Sequence, residues 1–111
     1  MSLHADMIAN DIQREGALMT LRRETGTDDV HFDVEVYGYD SRYTPEQVVG
    51  EIAQGDTRVI ISNREILARS WPGPPRRSDI VIIDGKPRRV MGNEIQSIGG
   101  EVVMHWLQVR G

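Results

Sequence analysis

Three histidines, a cluster of acids and a set of paired arginines are the residues of this 111-residue chain best suited to chemistry. A histidine can relay protons or bind a metal, but His4, His31 and His105 fall on a predicted helix, a mid-chain strand and the last strand. That is not metal-ligand spacing. His105, beside Trp106, reads as a strand-surface residue. Asp28, Asp29, Asp33 and Glu35 offer oxygens to a hard cation, yet the fixed offsets around a glycine that define a calcium loop are absent. They read instead as a solvated strand edge that discourages aggregation. There is no glycine-rich phosphate loop, no Gly-x-Ser-x-Gly elbow and no His-Glu-x-x-His. With zero cysteines, disulfides and thiolate metal sites are excluded. The expectation is a protein without enzymatic activity, cofactor or metal.

Arginine supplies 12 of the 13 basic residues, in pairs at Arg22-Arg23, Arg76-Arg77 and Arg88-Arg89. Its planar fork suits carboxylates on a partner or phosphates on nucleic acid. Neighbours on a strand point to opposite faces, so Arg88 and Arg89 cannot share one ligand. Arg76 and Arg77, on a loop after Pro75, can.

The elements that must position these groups follow from periodicity. Residues 2–15 read as a half-exposed helix, with Leu3/Met7 and Ile8/Ile12 as i,i+4 pairs, Ser2 as cap and Gly16 in the left-handed C′ position. Residues 17–23 read as a strand. The connection 25–46 is long for a small domain and therefore reads as functional rather than idle. Within it Val30, Phe32, Val34 and Val36 alternate with His31, Asp33, Glu35 and Tyr37, the pattern of a half-buried strand. That apolar face needs a cover, either its own barrel or a neighbouring subunit. A meander of short strands follows: 47–53, then 57–62, then a proline-rich loop over 69–78, then 79–83. Asp84-Gly85 marks a tight hairpin, 86–95 the return strand and Gly99-Gly100 a second turn into 102–109. Trp71, in the proline-rich loop, is costly to expose and either caps the open end of its own barrel or meets a neighbour. The sum is one domain over 1–111, mainly β: a small antiparallel barrel or sandwich of six to seven strands with one N-terminal α-helix and a long strand-bearing loop.

The apolar runs are far too short for a membrane span, and acids interrupt the N-terminal segment where a signal peptide would be apolar. A soluble, intracellular protein is the default. Net charge is −4, against a dedicated DNA binder. Residues 1–55 hold four Arg against eleven acids, a net of −7, and 56–111 hold nine basic against six acidic residues, a net of +3. An acidic and a basic half can stack copies of one chain head to tail.

The ordered series Gly50-x-Ile52-x-Gln54-Gly55-Asp56-x-Arg58-Val59-Ile60-Ile61, then Asp79-x-x-x-x-Asp84-Gly85-Lys86-x-x-x-Val90, then Gly100-x-x-Val103-x-x-x-Leu107-Gln108-Val109-Arg110 resembles the head–tail joining proteins of tailed phages and prophages. These are connector, stopper or neck subunits between portal and tail, and the resemblance covers about 16–111. It implies a non-enzymatic barrel that forms a homo-oligomeric ring on a portal or adaptor protein, docks a tail protein, and lines or closes the DNA channel, with DNA passing without sequence-specific binding and no membrane contact. Its location would be the bacterial cytoplasm during assembly and then the virion neck. On that reading Val30, Phe32, Val34, Val36, Trp71, Arg76 and Arg77 are subunit-interface candidates, and Asp28, Asp29, Asp33 and Glu35 are channel-facing. The alternative is a small barrel that binds nucleic acid through Arg58, Arg64, Arg76, Arg77, Arg88 and Arg89.

Overall fold

A computed structural model of the chain describes residues 3–26, 30–50 and 52–111, with backbone alone for Leu3 and His4. Helix α1 (Leu3–Glu15) leads into six strands: β1 (Ala17–Glu24), β2 (His31–Arg42), β3 (Thr57–Ser62), β4 (Ile80–Ile83), β5 (Lys86–Ile98) and β6 (Glu101–Arg110). They close in the order β1-β2-β3-β6-β5-β4, every pair antiparallel. The expected class is therefore found, as a closed six-stranded barrel. The apolar strand of the 25–46 connection is one of its walls.

Strand alternation explains the core. Met19 pairs with Val36, Leu21 with Val81, Val59 with Leu107 and Val90 with Val109, and all eight are buried facing inward. Gly38 also faces inward, and a Cβ there would lie 2.8 Å from Met19 Sδ, so the missing side chain is what admits the methionine. Both predicted hairpins form. Asp84-Gly85 and Gly99-Gly100 have positive φ at both central residues, as the twist of tight hairpins demands.

Four expectations are corrected. Helix α1 buries Ala5, Ala9 and Ile12, while Met7 is exposed: small residues let the helix lie close against β3 and β6. The Ser2 cap lies outside the described residues. Gly16 is not left-handed; it is there for space, since a Cβ would stand 2.3 Å from the Gly38 carbonyl oxygen. Among the described residues of 47–53 there is no strand, only the end of a 3-10 turn (Pro45–Gln47) and irregular chain. Finally, there is a second helix, α2 (Asn63–Ala68). Ser62 caps it, its Oγ accepting from the Glu65 amide at 3.2 Å.

Helix α2 ends by turning back on itself. Ser70 takes φ 56°, its amide donates to the Leu67 carbonyl and the Trp71 amide donates to the Ile66 carbonyl. This is the Schellman arrangement, whose usual apolar contact here joins Ile66 and Trp71 within the core. Together they plug one end of the barrel.

The plug is fastened by Arg23. Its Nε and Nη2 donate to the two carboxylate oxygens of Asp79 at 2.9 and 2.8 Å. Nη1 and Nη2 also donate to the Pro72 and Pro74 carbonyls at 2.7 and 3.2 Å, and the guanidinium lies 4.9 Å from the Trp71 ring centre. Removing one partner of a buried pair leaves an uncompensated charge, at a cost of roughly 3–5 kcal/mol. Asp79→Ala is therefore expected to lose about 3 kcal/mol in urea unfolding, with Trp71 fluorescence shifting to a more polar environment in the folded baseline.

Candidate functional site

Within 25–46, the four alternating apolar residues have separate fates. Val36 is fully buried in the barrel, Val34 packs against the core, Phe32 stacks on Trp71 with ring centres 5.5 Å apart, and Val30 is half exposed. The cover for this face is thus the chain's own plug. Trp71 likewise belongs to the monomer's core, only 5% exposed, so of the interface candidates Val30, Phe32, Arg76 and Arg77 are the ones left at the surface. Of the channel candidates, Asp28 and Asp29 lie outside the described residues. Asp33 accepts from Arg22 Nε and Nη2, both at 2.9 Å, and contacts His31 Nδ1; hydrogen bonding by Arg22 holds its carboxyl below the usual range. Glu35 is exposed. Strand β3 pairs with β2 only over Gly38–Arg42, so the half carrying Asp33 and Glu35 is paired on one side, consistent with a solvated edge.

The Arg pairs divide between faces as strand geometry requires. Arg22 points outward to Asp33 and Arg23 inward to Asp79. Arg88, opposite buried Val81, points inward, and Arg89, opposite Ile80, outward. The six arginines of the nucleic-acid alternative are dispersed. Arg58 stacks between Tyr43 and Trp106, 5.0 and 4.5 Å from their ring centres, and Arg64 donates to Asn10 of α1. Arg76 and Arg77 lie on the plug loop, and Arg88 lines the opposite, open end of the barrel, a cleft of about 470 Å³.

Two buried polar groups went unrecognised as such. His105 is not on the surface but 2% exposed. Its Nδ1 accepts from Asn93 Nδ2 at 3.0 Å, which fixes the proton on Nε2, and Nε2 donates to Asn63 Oδ1 at 2.9 Å. Asn93 also donates to the Pro75 carbonyl at 2.8 Å, so this network joins the β5–β6 hairpin, α2 and the plug loop. Burial pushes the imidazole down to about 4. Asp56, 5% exposed, accepts from Arg110 Nε and Nη2 at 2.8 and 2.9 Å, from Gln108 at 2.8 Å and from the Ala53 amide at 3.0 Å. The Arg110 bonds, then those of Gln108 and Ala53, hold its carboxyl at about 2. The Ser62-x-x-Glu65 spacing could have revealed the α2 cap; nothing local marks Asn63, Asn93 and His105 as neighbours.

Among the described residues no group of three or more His, Cys, Asp or Glu side chains converges as metal ligands. Of the inward-facing polar groups, Arg23, Asp79 and His105 serve the fold, while Arg42 and Arg88 line the cleft at the open end. No family model matches the chain, and no curated protein matches it either.

Both buried groups make stability fall with acid, in separate windows. His105 has a folded value near 4 against 6.5 unfolded, so the unfolded chain takes the proton first and stability drops by about 3 kcal/mol between pH 6.5 and 4. Asp56, near 2 against 3.8, loses about 2 kcal/mol more as pH falls from 4 to 2. Urea unfolding across a pH series is expected to show both declines, and His105→Gln, though less stable throughout, is expected to lose the upper one.

Proposed function

We propose that this chain is a non-enzymatic structural subunit of a tailed-phage or prophage particle, forming a ring at the head–tail junction that connects portal to tail around the DNA channel. The resemblance of its hairpin series to neck proteins supplies the setting. The observation that carries the reading is the placement of opposite charge on opposite walls. In a barrel ordered β1-β2-β3-β6-β5-β4, strands β2 and β5 are three steps apart and thus face away from each other. On its outward positions strand β2 carries Asp33 and Glu35, Asp33 being paired with Arg22, and the exposed start of β5 carries Lys86 and Arg89, with Glu94 farther along the strand.

Each wall has a local extension of like sign. Asp11 and Glu15 of α1 border the groove that also contains Tyr39 of β2. Arg76 and Arg77 precede a segment in which Ser78 and Asp79 bond to Val90 of β5. Ring closure requires a heterologous contact between two different, complementary patches, and charge complementarity sets register and encounter rate. In this arrangement Glu35 meets a neighbour rather than the channel, and Arg76 and Arg77 keep the interface role expected of them. The nucleic-acid reading has no comparable observation behind it, because its arginines form no continuous track.

Light scattering and negative-stain microscopy at about 50 mM salt, with the protein alone and with portal and tail proteins of the particle the proposal assigns it to, test the proposal. Salt-sensitive rings are expected. Glu35→Arg and Arg89→Glu should each cut ring yield at least tenfold, and their combination should restore it. Monomers under every condition, with no binding to portal or tail, would overturn it.

A further inference from the structure

We propose that the open end of the barrel is a binding site for a single carboxylate side chain, presented by an otherwise uncharged segment of a partner protein. The inference stands on the cleft and does not require the ring. Arg88 points inward near the mouth end of β5, its stem beside Gly111 and its guanidinium reaching across to β3. There Nη1 donates to Thr57 Oγ1 at 3.3 Å, in a part-buried setting. Among the described residues this is its one hydrogen bond, although a guanidinium has five N–H donors. A half-buried cation with unfilled donors faces a concave space of about 470 Å³, within the range of small-ligand sites.

The surroundings specify the ligand. Arg42, inward at the end of β2 and exposed, stands on the opposite wall of the same cleft and supplies a second cation, with the Tyr43 ring beside it. Two forks around one concavity suit a planar oxyanion held by paired N–H bonds. Asp56 also lines the cleft, but its carboxylate is already held by Arg110 and Gln108. Asp40 lies at the lip and carries negative charge. A phosphate backbone brings successive charges that Asp40 repels, and the chain as a whole is net −4. One glutamate or aspartate flanked by neutral residues brings a single charge, which Arg42 and Arg88 outweigh.

The test uses the full chain and three probes: the blocked peptide Ac-Ala-Glu-Ala-Ala-NH2, its Gln counterpart, and a six-nucleotide single-stranded DNA. Titrations at about 50 mM salt are followed by NMR of backbone amides and arginine Nε–H groups. The Glu peptide is expected to shift Arg88 Nε–H and the Thr57 amide with millimolar affinity, and the Gln peptide to bind at least tenfold more weakly. Arg88→Met should weaken the Glu peptide at least tenfold; Arg42→Gln, at an exposed position that does not bear on folding, should weaken it several-fold. Asp40→Asn should tighten it. Shifts confined to other surfaces, none with the Glu peptide up to about 20 mM, or weaker binding by Asp40→Asn would overturn the proposal. Tighter, steeply salt-dependent binding of the oligonucleotide would overturn it in favour of a nucleic-acid site.

Discussion

The bidentate pair between Arg23 and Asp79 is the contact on which the closed end of this barrel depends. It joins the last turn of β1 to the start of β4, and the same guanidinium holds two carbonyls of the proline-rich loop and lies over Trp71. Asp79 also accepts from the Arg76 amide at 2.8 Å. A buried pair contributes little net stability compared with apolar residues of similar shape, because desolvation offsets the attraction. What it contributes here is definition: prolines cannot form a ladder of amide bonds, so side-chain donors must satisfy the loop's carbonyls. Arg23 and Asn93 do so from β1 and β5, the two strands that flank β4.

That fastening makes the two ends unequal. One is filled by Ile66, Trp71 and Phe32 over an apolar core; the other opens onto charged and hydroxyl groups. The barrel therefore has a polarity along its axis as well as the charge difference between its β2 and β5 walls. A subunit with distinct top, bottom, left and right surfaces is what a stacked ring requires, since each contact is with a different partner patch. The outer face of β3 and β6 shows the same gradation on a smaller scale, from the Asp56–Arg110 pair, through Arg58 between its two rings, to Ile60 and Met104 near α1.

Local patterns carried much of the architecture. The alternation in 30–36, the Asp84-Gly85 and Gly99-Gly100 turns and the short apolar strands each rest on residues close in sequence, and each corresponds to a real strand or turn. The errors arose where several kinds of element share one composition. Residues 47–53 have strand-like apolar spacing, but the described residues among them have no partner strand, while 63–68 is too short for helical periodicity to show, and only its cap betrays it. In α1 Ile12 of the Ile8/Ile12 pair is buried but Met7 is exposed, because proximity to β3 and β6 selected Ala5 and Ala9 for the rest of the inner face.

The candidate surfaces divide along the same line. That Arg88 and Arg89 point opposite ways follows from the pleat alone, as does the contrast between an acidic first half and a basic second half. Which direction is inward, and which walls end up opposed, depends on the closure order β1-β2-β3-β6-β5-β4. Closure also brings His105 to Asn63, 42 positions away, and Arg23 to Asp79, 56 positions away. Composition, strand periodicity and turn chemistry are set by neighbouring residues and can be read in order along the chain. Burial, ion pairing and the identity of the open end arise from contacts between distant segments, and those exist only once the sheet has closed on itself.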